Sequence, residues 1–205
     1  SWSQGSSCMK VTASDNIVVF RASEVAFLRA EGALRGWNMG GSPKDLYEAG
    51  IRLSFEENNI SSGVESYLAN TGKVEGYKDP LKGQSGQTYD YSGSINTTVT
   101  VAWAGGDFEK SLEQIITQKW IANFPNGMES WSEYRRTGYP KLMPMAANAS
   151  SGIVDDTEGA RRMPYPTDEY RENKESVEAA VSTLTQESKT KKGDSMATHV
   201  WWDCK

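Results

Sequence analysis

The chain has 205 residues, enough for one domain with a proper core and too few for two comfortable ones. Its net charge of −5 offers no basic surface, so nucleic acid and anionic lipid are the least supported partners. Hydrophobic residues supply only 37%, while seven Trp and nine Tyr carry the apolar area in large rings that keep a polar handle.

No apolar run approaches the roughly 20 residues needed to span a bilayer. The opening, SWSQGSSCMKVTASDN, has no basic-then-apolar leader and reads as the middle of a longer sequence. A lipid-anchor reading of Ser6-Ser7-Cys8 lacks the apolar stretch it needs. Cys8 and Cys204 could bridge and close a very long loop, or stand as two reduced thiols.

The first predicted helix runs from about Glu24 to Arg35, with Ser23 as N-cap and Gly36 as stop. Phe27, Ala30, Leu34 and Trp37 fall at helical spacing on its inner face. After Gly40-Gly41, Ser42 caps a second helix with Pro43 at its first position and Asp45 completing a capping-box-like pattern. Tyr47, Ile51, Ser54 and Phe55 form its inner face. The resulting helix pair, about 23–57, is an αα-hairpin of the kind that builds 34-residue helical repeats, present in one clear copy. A short third helix is predicted from Val64 to Ala69.

From about 73 to 106 the chain is rich in Gly, Ser, Thr and Tyr with no helical period, apart from a strand-like alternation over Thr98–Trp103. A long irregular insertion in a helical protein is more often functional than idle. Core helices are predicted over about 107–138. Asp107 caps the first, and Phe108, Leu112, Ile115, Ile116, Trp120, Ile121 and Phe124 repeat as a buried face. Pro125-Asn126-Gly127 breaks it, Met128, Trp131, Tyr134 and Arg135 renew the period, and Gly138 and Pro140 stop it. About 141–205 reads as extended or loop-like. Within it Thr167 caps a turn of helix, and Val177, Ala180, Val181 and Leu184 show some helical period.

Five blocks, in order, resemble one family. They are the Ser23–Glu31 run SEVAFLRAE, Gln118-Lys119-Trp120, Trp131 through Pro140, Arg162–Pro166 with Glu169 and Asn173, and the terminal Trp201-Trp202-Asp203. Together they are similar to the C-terminal half of the SusD/RagB family of surface glycan-binding lipoproteins, over most of the chain from about Asn16. The N-terminal half, with its lipobox cysteine, has no counterpart here. The resemblance implies a mainly α fold of tetratricopeptide-like helix pairs with long irregular loops and a little β. It also implies capture of oligosaccharides or polysaccharides at the outer-membrane surface and delivery to a TonB-dependent transporter. A helical scaffold cut mid-array exposes an apolar face. The first helix pair, near Phe27 and Leu34, is therefore expected to meet the absent half or another copy.

Sugar binding needs flat aromatic faces for the C–H side of a ring and polar groups for its hydroxyls. Tyr77, Tyr89, Tyr91 and Trp103 are the candidates, because they sit in the insertion beside Gln87, Asp90 and Asn96. The competing reading is that these rings only pin the loop to the helices. Trp120, Trp131, Tyr134, Trp201 and Trp202 could also serve as sugar platforms, but their spacing and place in the family signature favour core packing; Tyr139 and Tyr165 belong to the same structural signature. Arg135 and Arg136 read as partners of helix ends or of buried carboxylates such as Asp203. Glycoside hydrolysis needs two carboxyl groups facing each other across a cleft, whereas Glu129/Glu133 and Asp155/Asp156 are neighbours on one element. His199 is the only histidine. No metal, cofactor or catalytic residue is expected. A helical-repeat adaptor that binds protein but no sugar is the alternative function.

Overall fold

The structure, a computed structural model, describes residues 14, 18–73, 97–145 and 148–203. The candidates Tyr77, Tyr89 and Tyr91 and both cysteines lie outside the described residues. The chain divides into two compact units, Ser1–Ser130 and Trp131–Lys205.

Unit one is helical. Helix α1 spans Ala22–Leu34, α2 Pro43–Glu57, α3 Val64–Leu68 and α4 Phe108–Ala122, while α5, Gly127–Thr137, begins in this unit. The cap chemistry of α2 and α4 sits where the sequence places it. The Ser42 hydroxyl accepts the Asp45 amide at 3.1 Å, and the Asp107 carboxylate accepts the Lys110 amide at 2.8 Å. Helix α1 differs. It starts at Ala22 after Arg21, and Ser23 is not a cap. Instead the Ser23 hydroxyl and amide donate to the Glu57 carboxylate at 2.6 and 3.0 Å. That bond ties the start of α1 to the end of α2, so the two helices run antiparallel.

Phe27, Ala30, Leu46, Tyr47, Ile51, Ile115 and Ala122 form the core, with Leu34 packed against it. Phe27 meets Tyr47 edge-on at 6.3 Å, a favoured arrangement of ring quadrupoles. Phe27 is therefore buried inside unit one and Leu34 is partly buried against its core, so neither forms the open apolar face expected there. The exposed large apolar side chains of α1 are Val25 and Leu28.

The buried stripe of α4 runs through Leu112, Ile115, Ile116, Lys119 and Ala122. Trp120, Ile121 and Phe124 do not join it. Trp120, in the last turn of α4, is 39% exposed, and Ile121 and Phe124, the latter beyond the helix end, are exposed as well. Phe108, in the first turn, is also exposed, with the Arg35 guanidinium 5.5 Å over its ring.

The expected strand over Thr98–Trp103 is absent, and the described residues contain no strand, only an isolated bridge between Asp155 and Gly159. The alternation is real, but among the described residues no second strand pairs with it. Its carbonyls are taken by side chains of the helices.

Unit two holds the rest of α5, then α6, Thr167–Glu172, and α7, Lys174–Glu187. The region expected to be extended is thus partly helical. Pro166 is the N-cap of α6, and Thr167 is its first helical residue. No described helix is long and apolar enough to cross a membrane.

Candidate functional site

The structure fixes both described ends of the insertion. Leaving α3, the Asn70 carbonyl accepts the Ala102 amide at 2.8 Å. On the returning side, Thr97 donates its hydroxyl to Glu113, and Gln114 grips the next residues. Its amide nitrogen donates to the Thr100 and Ala102 carbonyls at 2.7 and 2.8 Å, and its oxygen accepts the Ala104 amide at 3.2 Å. From α2 the Tyr47 hydroxyl donates to the Val101 carbonyl at 2.7 Å. Burial pushes that hydroxyl's pKa well above the ordinary tyrosine value, so it stays a donor.

Trp103 emerges from this clamp half-buried, its ring 5.1 Å from that of Tyr47 and tilted by 47°. A Cβ on Gly105 would lie 3.2 Å from the indole nitrogen, so glycine there leaves the pyrrole edge room. Of the four candidate ligand residues, Trp103 is the one the structure describes, and it is held from two sides.

Sequence reasoning did not single out Gln114. With Ser111 and Gln118 it lies at spacing i, i+3, i+7, and all three are buried. Gln118 accepts the Tyr67 hydroxyl of α3 at 3.0 Å. The signal was this polar stripe, but a polar helical stripe is ordinarily a solvated face.

The signature residues of unit two form a separate network. The Arg135 guanidinium lies 3.5 Å over the Trp131 ring and 4.6 Å from that of Trp202, and it donates to the Arg161 carbonyl at 2.8 Å. Trp131 donates its indole N–H to the Ala160 carbonyl at 2.7 Å, and Tyr134 donates its hydroxyl to the Thr157 carbonyl at 2.9 Å. Asp203 is gripped by Arg161 at 2.8 Å from Nε, a fork that sequence reasoning gave to Arg135 or Arg136. Arg136 instead pairs with Glu133 at 2.7 Å. Tyr139 is buried, with the Lys141 ammonium 4.8 Å over its ring. Tyr165 lies under Arg162, which pairs with Asp194. Trp201 departs from core packing: it is 90% exposed, because the turn buries His199 and Asp203 and turns its indole outward. Among the described residues no group of three or more His, Cys, Asp or Glu side chains could hold a metal.

The profile of the family described as SusD-like, "Susd and RagB outer membrane lipoprotein", matches residues 1–203. The chain belongs to the SusD-like family. It is similar to the crystal structure of a SusD homologue from Bacteroides ovatus, at 89% identity and a TM-score of 0.91, covering 100% of this chain and 41% of that one. A homologue from Bacteroides thetaiotaomicron matches at 50% identity and a TM-score of 0.83, over 96% of this chain and 40% of the other. A chitin-binding SusD homologue from Flavobacterium johnsoniae matches at 45% identity and a TM-score of 0.75, over 89% and 36%. No curated protein matches. The SusD-like chain thus spans about two-fifths of the length of these relatives, and its helical architecture is theirs.

Proposed function

We propose that this SusD-like chain belongs to a non-catalytic glycan-binding component of an outer-membrane uptake system, one that passes oligosaccharide to a TonB-dependent transporter. In this reading the protein stands at the cell surface on a lipid anchor. The observation that carries the glycan assignment is the 45% identity, over 89% of the chain, to a chitin-binding SusD homologue. The site supports it: Trp103 is a half-buried flat ring, fixed at the base of an insertion rich in Tyr and polar residues. We assign Trp103, with Tyr77, Tyr89 and Tyr91, to sugar stacking, and the unit-two network to the scaffold.

The test is calorimetric titration of the chain, within its complete natural polypeptide, against chitohexaose, cellohexaose, maltoheptaose and xylohexaose. Saturable binding of at least one, without release of reducing ends, supports the proposal. A folded protein giving flat responses to the whole panel while still binding the transporter would favour a protein-binding adaptor. Reducing-end release that disappears on substitution of an Asp or Glu would show an enzyme instead.

A further inference from the structure

The grip of Gln114 on the end of the insertion goes beyond what helix packing requires. Gln114 is 1% exposed, and all three of its hydrogen bonds go to the main chain of a five-residue segment, at Thr100, Ala102 and Ala104. These residues bracket Trp103. A primary carboxamide is the side chain that can donate twice and accept at the same end. A carboxylate cannot donate, and an aliphatic chain can do neither. Tyr47 adds a fourth bond, to Val101, and sets its ring against the indole at 5.1 Å. The backbone on both sides of Trp103 and one flank of its ring are therefore fixed before any ligand arrives. Ordering a loop on binding costs free energy that a preordered loop does not lose again.

We propose that Gln114 is a positioning residue for Trp103, holding the indole in its ligand-ready orientation through the Thr100–Ala104 main chain. The ligand half of this inference rests on the glycan-binding reading; the positioning half stands on geometry alone. Gln114 touches no ligand and acts only through the segment it grips.

The test uses Gln114→Glu and Gln114→Leu, with Trp103→Phe to assign the Trp103 resonance in 5-fluorotryptophan-labelled protein. In Gln114→Glu the ionised carboxylate faces two carbonyls and repels them, whereas its protonated form can donate to one. At pH 8 the Trp103 fluorine signal is expected to shift or broaden, and affinity for the tightest binder among the four oligosaccharides to fall about tenfold. At pH 5 both return part-way to wild type, and the wild-type protein shows no such pH difference. Gln114→Leu loses affinity at both pH values, with the helical circular dichroism retained.

A Trp103 signal unchanged in both variants overturns the positioning role. A moved signal with unchanged affinity overturns the ligand half alone and leaves glycan binding standing. A wild-type protein that binds none of the four oligosaccharides overturns the ligand half together with the proposed function, while the fluorine signal still decides the positioning half.

Discussion

The Lys119 ammonium lies almost completely buried, 3.4 Å from Glu24 Oε1 and 3.2 Å from Glu129 Oε1. It joins two of the sequence blocks, the Ser23–Glu31 run and Gln118-Lys119-Trp120, through one ion. Burial pushes the Glu24 carboxyl up, and Lys119 pulls it back. Removing the cation would leave Glu24 buried beside Glu129. We expect Lys119→Met to cost about 3–5 kcal/mol in chemical denaturation, most of it recovered in the double variant Glu24→Gln/Lys119→Met. A single-variant cost below about 1 kcal/mol would contradict this role. At Asp194 burial pushes the carboxyl up, but hydrogen bonds from Tyr170, Arg162 and the Tyr165 amide outweigh it and hold the group below the usual carboxylate range. A depressed carboxyl stabilises the fold above its unfolded value, about pH 4, and loses that contribution as pH falls through the folded value. Asp194→Asn should therefore flatten the acid limb of a stability–pH curve and lower stability at pH 7. An unchanged acid limb would show that the grip contributes nothing.

Helix α2 passes so close to α1 that a Cβ on Gly50 would lie 2.7 Å from the Phe27 ring. Gly50→Ala is expected to cost about 1–3 kcal/mol despite the better helix propensity of alanine. Gly127→Ala at the start of α5, where a Cβ would meet nothing within 4 Å, should be neutral or slightly stabilising. Thermal melts that rank the two alike would refute the close approach. Elements whose signals are local were legible in the sequence: Ser42-Pro43 and Asp107 write their caps into adjacent residues. Elements decided by distant partners were not. Ser23 has cap chemistry, but its hydroxyl goes to Glu57, 34 residues away. Val99, Val101 and Trp103 alternate like a strand, yet a strand needs a neighbour, and here Gln114 and Tyr47 take the carbonyls. Trp120, Ile121 and Phe124 have a helical period, but period alone does not say which sides of a helix will be covered. The same reason hid Gln114: a polar stripe looks solvated until a loop is laid over it.

For the molecule as a whole, two arrangements of aromatic residues do different work. In unit two the rings of Trp131 and Trp202 lie against the Arg135 guanidinium, and Trp131 and Tyr134 bond main-chain carbonyls, which leaves them committed to the fold. In unit one Trp103 is supported from beneath by Tyr47 and remains half-buried at the base of the insertion. Family membership was legible because its blocks are short and ordered along the chain, whereas the proposed ligand site draws on an insertion rich in Gly, Ser, Thr and Tyr with no helical period. The chain covers about two-fifths of its solved relatives, so the affinity must be read on the complete polypeptide. The decisive measurement is the dissociation constant of the oligosaccharide bound most tightly by the wild-type protein, repeated with Trp103→Ala at matched helical content. Loss of one stacking ring predicts a weakening of about tenfold, equivalent to ~1.4 kcal/mol. An affinity for that oligosaccharide unchanged by Trp103→Ala would contradict the account.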